Sequence, residues 1–196
     1  MAQPRSARGY SVVELLFVGG LIVTLSAIAV PKLLTALDEY RAASAVRYLT
    51  TRFARARMEA IVRSRNVAVR FTQDAQGYSY AIYVDGNHDG VRTRDIQCGT
   101  DSPLAQPERL SANFPGVAFA VPVGLPPVDL GQPTNGDPLK LGSGNLLSFS
   151  ALGTSSSGSI YVRGRNGSQY VIRAFGETGR VRGLKFDLTT RRWSPL

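Results

Sequence analysis

From Val12 to Val30 the chain runs 19 residues with one charged side chain, Glu14. A helix needs roughly 20 predominantly apolar residues to cross the hydrocarbon of a bilayer, so this stretch predicts a membrane-spanning helix. Arg5 and Arg8 precede it and no basic residue lies within it. Basic flanks stay on the cytoplasmic side, which predicts a cytoplasmic N-terminus and places everything after Pro31 outside. A carboxylate at the centre of such a helix costs about 3 kcal/mol unless it is paired. Glu14 is therefore expected to have a partner, and hence a function. Two other readings of the same run stay open. The leader, apolar core and Ala27-Ile28-Ala29 also fit a secretory signal cut after Ala29, and a plain signal anchor needs no cut at all. Neither gives Glu14 a purpose.

Gly9, the aromatic Tyr10 and then Ser11-Val12-Val13-Glu14-Leu15-Leu16 resemble the class III signal of type IV pilins and type II secretion pseudopilins. That resemblance implies cleavage between Gly9 and Tyr10 by a prepilin peptidase, with methylation of the new N-terminus. Glu14 then becomes the fifth residue of the mature chain, and Pro31 takes the family's proline position. Tyr10 stands where the family usually has phenylalanine. The expected role of Glu14 follows from electrostatics. In a filament of stacked apolar helices, the amino group of Tyr10 on one subunit can neutralise the Glu14 carboxylate of its neighbour, and removing one member of such a pair is costly.

The formal net charge is +9, and loss of the leader with Arg5 and Arg8 leaves +7. The charge is uneven. Residues 31–65 carry eight basic and three acidic side chains, 66–159 five and eight, and 160–196 eight and two. A basic base and tail around an acidic middle predict an anionic partner at one end: lipid head groups, nucleic acid or an acidic subunit. Cys98 is the one cysteine and His88 the one histidine. An intramolecular disulfide and a cysteine-based zinc site are therefore excluded, and no acid, base and nucleophile cluster marks an enzyme. A secreted hydrolase would need such a cluster.

Helical periodicity continues beyond Pro31 through Leu37, Tyr40, Val46, Leu49, Phe53, Ala56, Ala60 and Ile61. It predicts one long helix to about Arg65, interrupted or bent at Pro31, with Gly19-Gly20 as a second weak point. Arginines fill the opposite face. Arg55-Ala56-Arg57-Met58-Glu59-Ala60-Ile61 followed by Asn66-Val67-Ala68-Val69-Arg70-Phe71 looks like the helix-to-first-strand junction of the GspH/FimT family of minor pilins and pseudopilins. From Val67 the period changes to two. Strands are expected at 67–72, 78–84, 91–96, 117–121, 146–150, 160–163, 169–175 and 182–188, with residues 122–145 as a long surface loop. Asn166-Gly167 is a strong hairpin signal.

Two motifs could carry binding. Asp85-Gly86-Asn87-His88-Asp89-Gly90 matches the first half of a calcium loop, with oxygens of Asp85, Asn87 and Asp89 placed to face one Ca2+ and a glycine at the sharp turn. Ile96 stands where that loop needs its glutamate, and a tight Asx turn between strands is the alternative. Gly179-Arg180-Val181-Arg182 resembles the Gly-Arg-x-Arg motif of the DNA-binding FimT branch, which implies DNA contact through Gly179, Arg180 and Arg182. Arginines two apart on a strand project from one face and can straddle phosphates; a turn entering a half-exposed strand, or a subunit contact, explains the same residues. Arg173, Lys185 and other basic residues could widen the patch, and Tyr161, Tyr170 or Trp193 could stack bases.

The expected architecture is α+β and type IV pilin-like: leader 1–9, transmembrane and assembly helix 10–31, amphipathic helix 32–65, and an antiparallel β-rich periplasmic domain 66–196. The resemblance implies a non-enzymatic minor subunit of a type IV pilus-like filament, held in the bacterial inner membrane and then moved into the filament. Its partners would be the prepilin peptidase, other pilins or pseudopilins, inner-membrane lipid and possible DNA. The alternative is the H-type minor pseudopilin of a type II secretion system.

Overall fold

The computed structural model describes residues 9–128, 135–142 and 144–196. Residues 1–8, most of the expected leader 1–9 and including Arg5 and Arg8, lie outside the described residues. The chain divides into two compact units, Met1–Leu37 and Asp38–Leu196.

The first unit is the start of α1 (Val12–Arg63). Ser11 opens the helix: its carbonyl accepts from Leu15 N and its hydroxyl from Val13 N at 3.3 Å, supplying one of the donors a helix start leaves unpaired. Leu15, Leu16, Phe17, Leu21, Ile22, Val23, Leu25 and Ile28 are all exposed. This helix is long and apolar enough to cross a membrane. Of the two expectations at Pro31, an interruption or a bend, the interruption does not occur: α1 runs on through Pro31 and Gly19-Gly20. Proline removes one hydrogen bond, to the Ala27 carbonyl. The surrounding side chains are apolar, and helix is the backbone's way to satisfy its polar groups in such a setting.

In the second unit, α1 buries Ala42, Ala45, Val46, Leu49, Phe53, Ala56 and Ala60, one stripe at three- and four-residue spacing. Burying Leu49 and Phe53 fully stabilises by about 1.5–3 kcal/mol each. The stripe packs against two antiparallel sheets. The first runs β3-β2-β1-β7, with β4 also paired to β2. Here β1 is Val67–Asp74, β2 Gly77–Val84, β3 Ser102–Pro103, β4 Glu108–Arg109 and β7 Leu146–Phe149. The second runs β11-β10-β9-β8-β5, with β6 also paired to β8. Its strands are β5 Ala118–Phe119, β6 Leu139–Lys140, β8 Gly158–Arg163, β9 Gln169–Phe175, β10 Arg180–Asp187 and β11 Arg192–Pro195. Two short helices, α2 (Thr93–Cys98) and α3 (Leu110–Asn113), fill the connections.

The inner face of the second sheet carries Ile160, Val162, Tyr170, Ile172 and Ala174 into the main core. Gly183 lets β10 pass close to the helix; a Cβ there would sit 2.8 Å from a Val46 methyl. The outer face has a smaller cluster of Val121, Leu125, Tyr161, Val171 and Phe186, joined by Leu184 and Trp193. A polar clamp also ties helix to sheet. Glu108 accepts from the hydroxyls of Tyr48 at 2.8 Å and Tyr80 at 2.9 Å and pairs with Arg52. Burial, then the neighbouring Tyr48, pushes the Tyr80 hydroxyl well above its usual range.

Three expectations are corrected. Residues 91–96 are not a strand: α2 forms there, closed by Gly99 in the left-handed region with its N–H on the Ile96 carbonyl. Residues 122–145 are not wholly a surface loop, since Leu125, Leu139 and Leu141 are buried and β6 pairs Leu139 with Ile160; residues 129–134 and 143 of that stretch lie outside the described residues. A last strand, β11, follows the one expected to end the domain. Asp187 makes the turn into it by accepting from Thr189 N and the Thr190 hydroxyl.

Candidate functional site

The expected cleavage junction and the expected assembly residues fall on the first unit. Gly9 and Tyr10 precede the helix and are exposed, Tyr10 at 78%. Glu14 sits in the first turn of α1, where a carboxylate also favours the positive end of the helix dipole. Pro31 lies inside the helix, and its carbonyl accepts from the Thr35 hydroxyl at 3.0 Å.

The 85–90 turn is closed by its own hydrogen bonds. Asp85 is fully buried. One carboxylate oxygen accepts from Asn87 N and His88 N, the other from Gly90 N and the Asn66 amide, at 2.7–3.2 Å. Burial raises the Asp85 pKa, but the Gly90 amide, the Asn66 side chain and the His88 and Asn87 amides outweigh it and hold the group below its ordinary value. Asp89 pairs with Arg92 at 2.8 Å, and the Asn87 side-chain oxygen accepts from Asp89 N. Asp101, also buried, accepts from Gly86 N and Arg92 N. A cation would have to displace these donors, and among the described residues no group of three or more acidic, histidine or cysteine side chains could hold a metal. The hydrogen bonding is that of the Asx turn, the alternative reading of these residues. Asp85→Ala is expected to lower stability by about 2–4 kcal/mol, since it strands several buried N–H groups; urea unfolding measures it. A depressed folded pKa stabilises fully above the unfolded value of about 3.8 and is lost as pH falls through the folded value. An acid titration of thermal stability should show that loss below about pH 4 in the wild type and a shallower one in the variant.

The Gly-Arg-Val-Arg motif forms the turn from β9 into β10. Gly179 has φ +60°, and its N–H closes the turn on the Phe175 carbonyl at 2.8 Å. The close approach is severe: a Cβ would lie 2.1 Å from the Gly153 carbonyl oxygen and 2.7 Å from Arg57 Nε. That same carbonyl accepts from Arg57 Nε at 2.7 Å. The glycine thus joins three segments: helix α1, the 150–154 turn and the β9–β10 turn. Arg180 and Arg182 are exposed on the outer face of β10, while Val181 turns into the core. Arg182 stands opposite Arg173, and Arg180 opposite Phe175; the Arg173 guanidinium lies 5.1 Å from the Phe175 ring centre. Among the described residues neither Arg180 nor Arg182 has an acidic partner. Arg180 and Arg182 thus present two exposed guanidinium groups, two residues apart, at this corner of the sheet.

The structure brings Arg173 to this corner and keeps the other expected members away. Lys185 points to the opposite face and pairs with Glu39. Tyr170 and Tyr161 are buried, with Tyr170 in the main core. Trp193 packs on Phe186 and Tyr161 and donates to the Pro126 carbonyl at 3.0 Å. Burial keeps both tyrosine rings from stacking a base, while Trp193 remains partly exposed. Arg57 carries an unexpected contact. Its place in a run of arginines suggested a solvated face, and its acceptor lies 96 residues away, beyond any local sequence signal.

The sequence matches the family described as type II transport protein GspH over residues 45–176. Comparison with curated proteins finds no match. Among solved structures, the minor pseudopilin EpsH from the Type 2 Secretion System of Vibrio cholerae is similar at 14% identity. The likeness covers 74% of this chain and 97% of that one, with a TM-score of 0.46. The family match runs from the buried stripe of α1 through both sheets to the end of β9, more than half of the chain. This chain belongs to the GspH family of type IV pilin-like minor pilins and pseudopilins.

Proposed function

We propose that the chain is a non-enzymatic minor pseudopilin of a type II secretion filament, anchored in the inner membrane through α1 before assembly. The observation that carries this is the family match across residues 45–176, described in terms of type II transport. The exposed apolar start of α1 with its single carboxylate supports the anchoring and assembly steps. The prepilin peptidase would cut between Gly9 and Tyr10, and other pseudopilins would be the partners.

A second role, in a DNA-contacting pilus, is favoured by the exposed Arg180 and Arg182 beside Arg173. Deleting the gene in its host separates the two. The secretion role expects exported proteins to accumulate in the periplasm with DNA uptake unchanged; the pilus role expects the reverse. The N-terminus of the mature protein checks the shared part: methylated Tyr10 is expected, whereas a chain starting at Val30, or an uncut one, would remove the filament reading.

A further inference from the structure

The end of the second sheet, where β9 begins and β10 turns into β11, packs around the first residues of α1 in the second unit. Lys185 pairs with Glu39, and the Tyr170 hydroxyl donates to the Glu39 carbonyl at 3.5 Å. The β8–β9 hairpin and the β10–β11 turn share one cleft with Glu39 through Asn166 and Leu188. A Cβ on Gly164 would lie 3.0 Å from that of Ala42, so the hairpin meets the same stretch of helix. The acidic side chains here are all matched: Asp38 by Arg41, Glu39 by Lys185, and Asp187 by Arg192 directly across the ladder. The 110–118 segment, which meets Arg165 at Gly116, carries no acid. Arg163, Arg165 and Arg191 are exposed, and among the described residues none of them is in an ion pair. Three positive charges are therefore left over. Arg191 is also held at φ +51°, a left-handed conformation that glycine adopts at less cost. Asp187 fixes this turn by accepting from Thr189 N and from the amide and hydroxyl of Thr190. The turn presents Leu188, 77% exposed, beside Arg191 and Arg192.

We propose that this end of the domain docks on anionic lipid head groups of the membrane that α1 enters, before the chain joins a filament. The site rests on the membrane anchoring proposed above, and chain length is what selects lipid as the partner. The apolar run ends at Val30, and Glu39 follows nine residues later in the same helix. At roughly 1.5 Å per residue that is about 14 Å. The head-group layer takes up roughly the first 6 Å beyond the hydrocarbon. The remaining gap is about one Debye length, roughly 8 Å at physiological salt, and tilting the helix shortens it. Unpaired arginines at that height lie within the negative surface potential of an anionic leaflet, and a guanidinium matches a phosphate with paired hydrogen bonds. The connecting residues 31–37 add Lys32 and no acid. Leu188 supplies an apolar tip of the kind that enters the head-group boundary next to basic side chains. The other basic corner, at Arg180, is excluded from this role by the same measure. Its Gly179 meets Arg57, 27 residues of helix beyond Val30, or about 40 Å.

The chain has one tryptophan, Trp193, which follows Arg192 on β11 and is partly exposed, so it reports on this end without a label. The full mature chain would be reconstituted in vesicles of phosphatidylcholine, with or without phosphatidylglycerol, each containing a lipid spin-labelled at its head group as quencher. Flotation of the vesicles first checks that α1 has inserted in both. Quenching of Trp193 is expected to be at least twofold stronger in the anionic vesicles, and the difference to vanish at about 1 M salt. Arg165→Gln/Arg191→Gly is expected to cut the difference at least threefold. Arg191→Gly alone is expected to reduce it while the thermal midpoint equals or exceeds that of the wild type, because glycine accepts the left-handed region. A fall in lipid contact without a fall in stability cannot come from misfolding. A chain that floats with both vesicles and is quenched equally in both overturns the proposal and leaves the anchoring intact. A chain that floats with neither overturns the anchoring itself. Quenching that depends on phosphatidylglycerol but is unchanged in the double variant overturns these arginines as the docking surface. Trp193 emission that ignores phosphatidylglycerol and responds to added duplex DNA assigns the surface to nucleic acid instead.

Discussion

Glu14→Ala is expected to leave the protein in the membrane at its normal level and to reduce its presence in filaments by roughly two to three orders of magnitude. The two halves of that result have different causes. Insertion depends on apolar length, and replacing a carboxylate by a methyl group makes the span more apolar. In the assembly proposed above, the side chain of Glu14 would lie among the helices of other subunits, where a carboxylate is tolerated only with a cation beside it. Losing one member of such a pair costs about 3–5 kcal/mol, and each 1.4 kcal/mol is tenfold in an equilibrium. The cation proposed is the amino group that cleavage creates on Tyr10. Gly9 and Tyr10 lie just ahead of the helix start at Val12, with Tyr10 four residues from the carboxylate, so the proposed mechanism links cutting to assembly. Membrane and sheared-filament fractions, probed on parallel blots, measure both halves. Equal loss from both fractions would make Glu14 an insertion determinant, and normal filament content would remove the pairing mechanism.

What sequence could show and what it could not divides along the range of the interactions. The apolar run, the helix beyond it and the strands β1, β2, β8 and β9 are written in local periodicity, and each appears close to its expected limits. The helix stripe was legible at Val46, Leu49, Phe53, Ala56 and Ala60. It was misread at Tyr40 and Ile61, which are exposed at 66% and 38%, and it missed Ala42 and Ala45, which are fully buried. Alanine carries little hydrophobic signal, yet its small size is what lets the sheets approach the helix. The 122–145 stretch was misjudged for a related reason. Proline and glycine break its periodicity, but Leu139 still pairs across to Ile160, a partner no local window contains. The candidate site shows the same division. Asp85 was legible as a candidate Ca2+ ligand or as the start of an Asx turn, but not as the buried acceptor it is, since one of its donors comes from Asn66, outside the turn. The Oε1 of Gln169, buried without a hydrogen-bond partner among the described residues, has no sequence signature at all, since glutamine on a strand is ordinarily exposed and satisfied by water.

In Gly179-Arg180-Val181-Arg182 the glycine and the arginines should prove separable. Gly179→Ala is expected to destabilise the folded domain by about 3–5 kcal/mol. Holding alanine in the left-handed region costs about 1–2 kcal/mol. The new methyl must also push aside the Gly153 carbonyl 2.1 Å away, opening the bond that Arg57 donates to it; hydrogen bonds to charged groups contribute about 1.5–3 kcal/mol. The thermal midpoint should fall by about 10 °C. Arg180→Ala/Arg182→Ala removes two exposed side chains without acidic partners among the described residues, and its effect on stability should stay within about 1 kcal/mol. If the corner formed with Arg173 meets DNA, the double variant weakens binding to any sequence and lowers the salt slope by about one per arginine removed. If it meets an acidic face of a neighbouring subunit, DNA affinity is unchanged and filament incorporation falls instead. Differential scanning calorimetry, a DNA shift assay over a salt series and the filament fraction measure the three arms on the same full-length variants. A Gly179→Ala midpoint equal to wild type would show that the 150–154 turn gives way freely. The motif's glycine would then have no structural duty, and its role would have to be sought with the arginines at the binding surface.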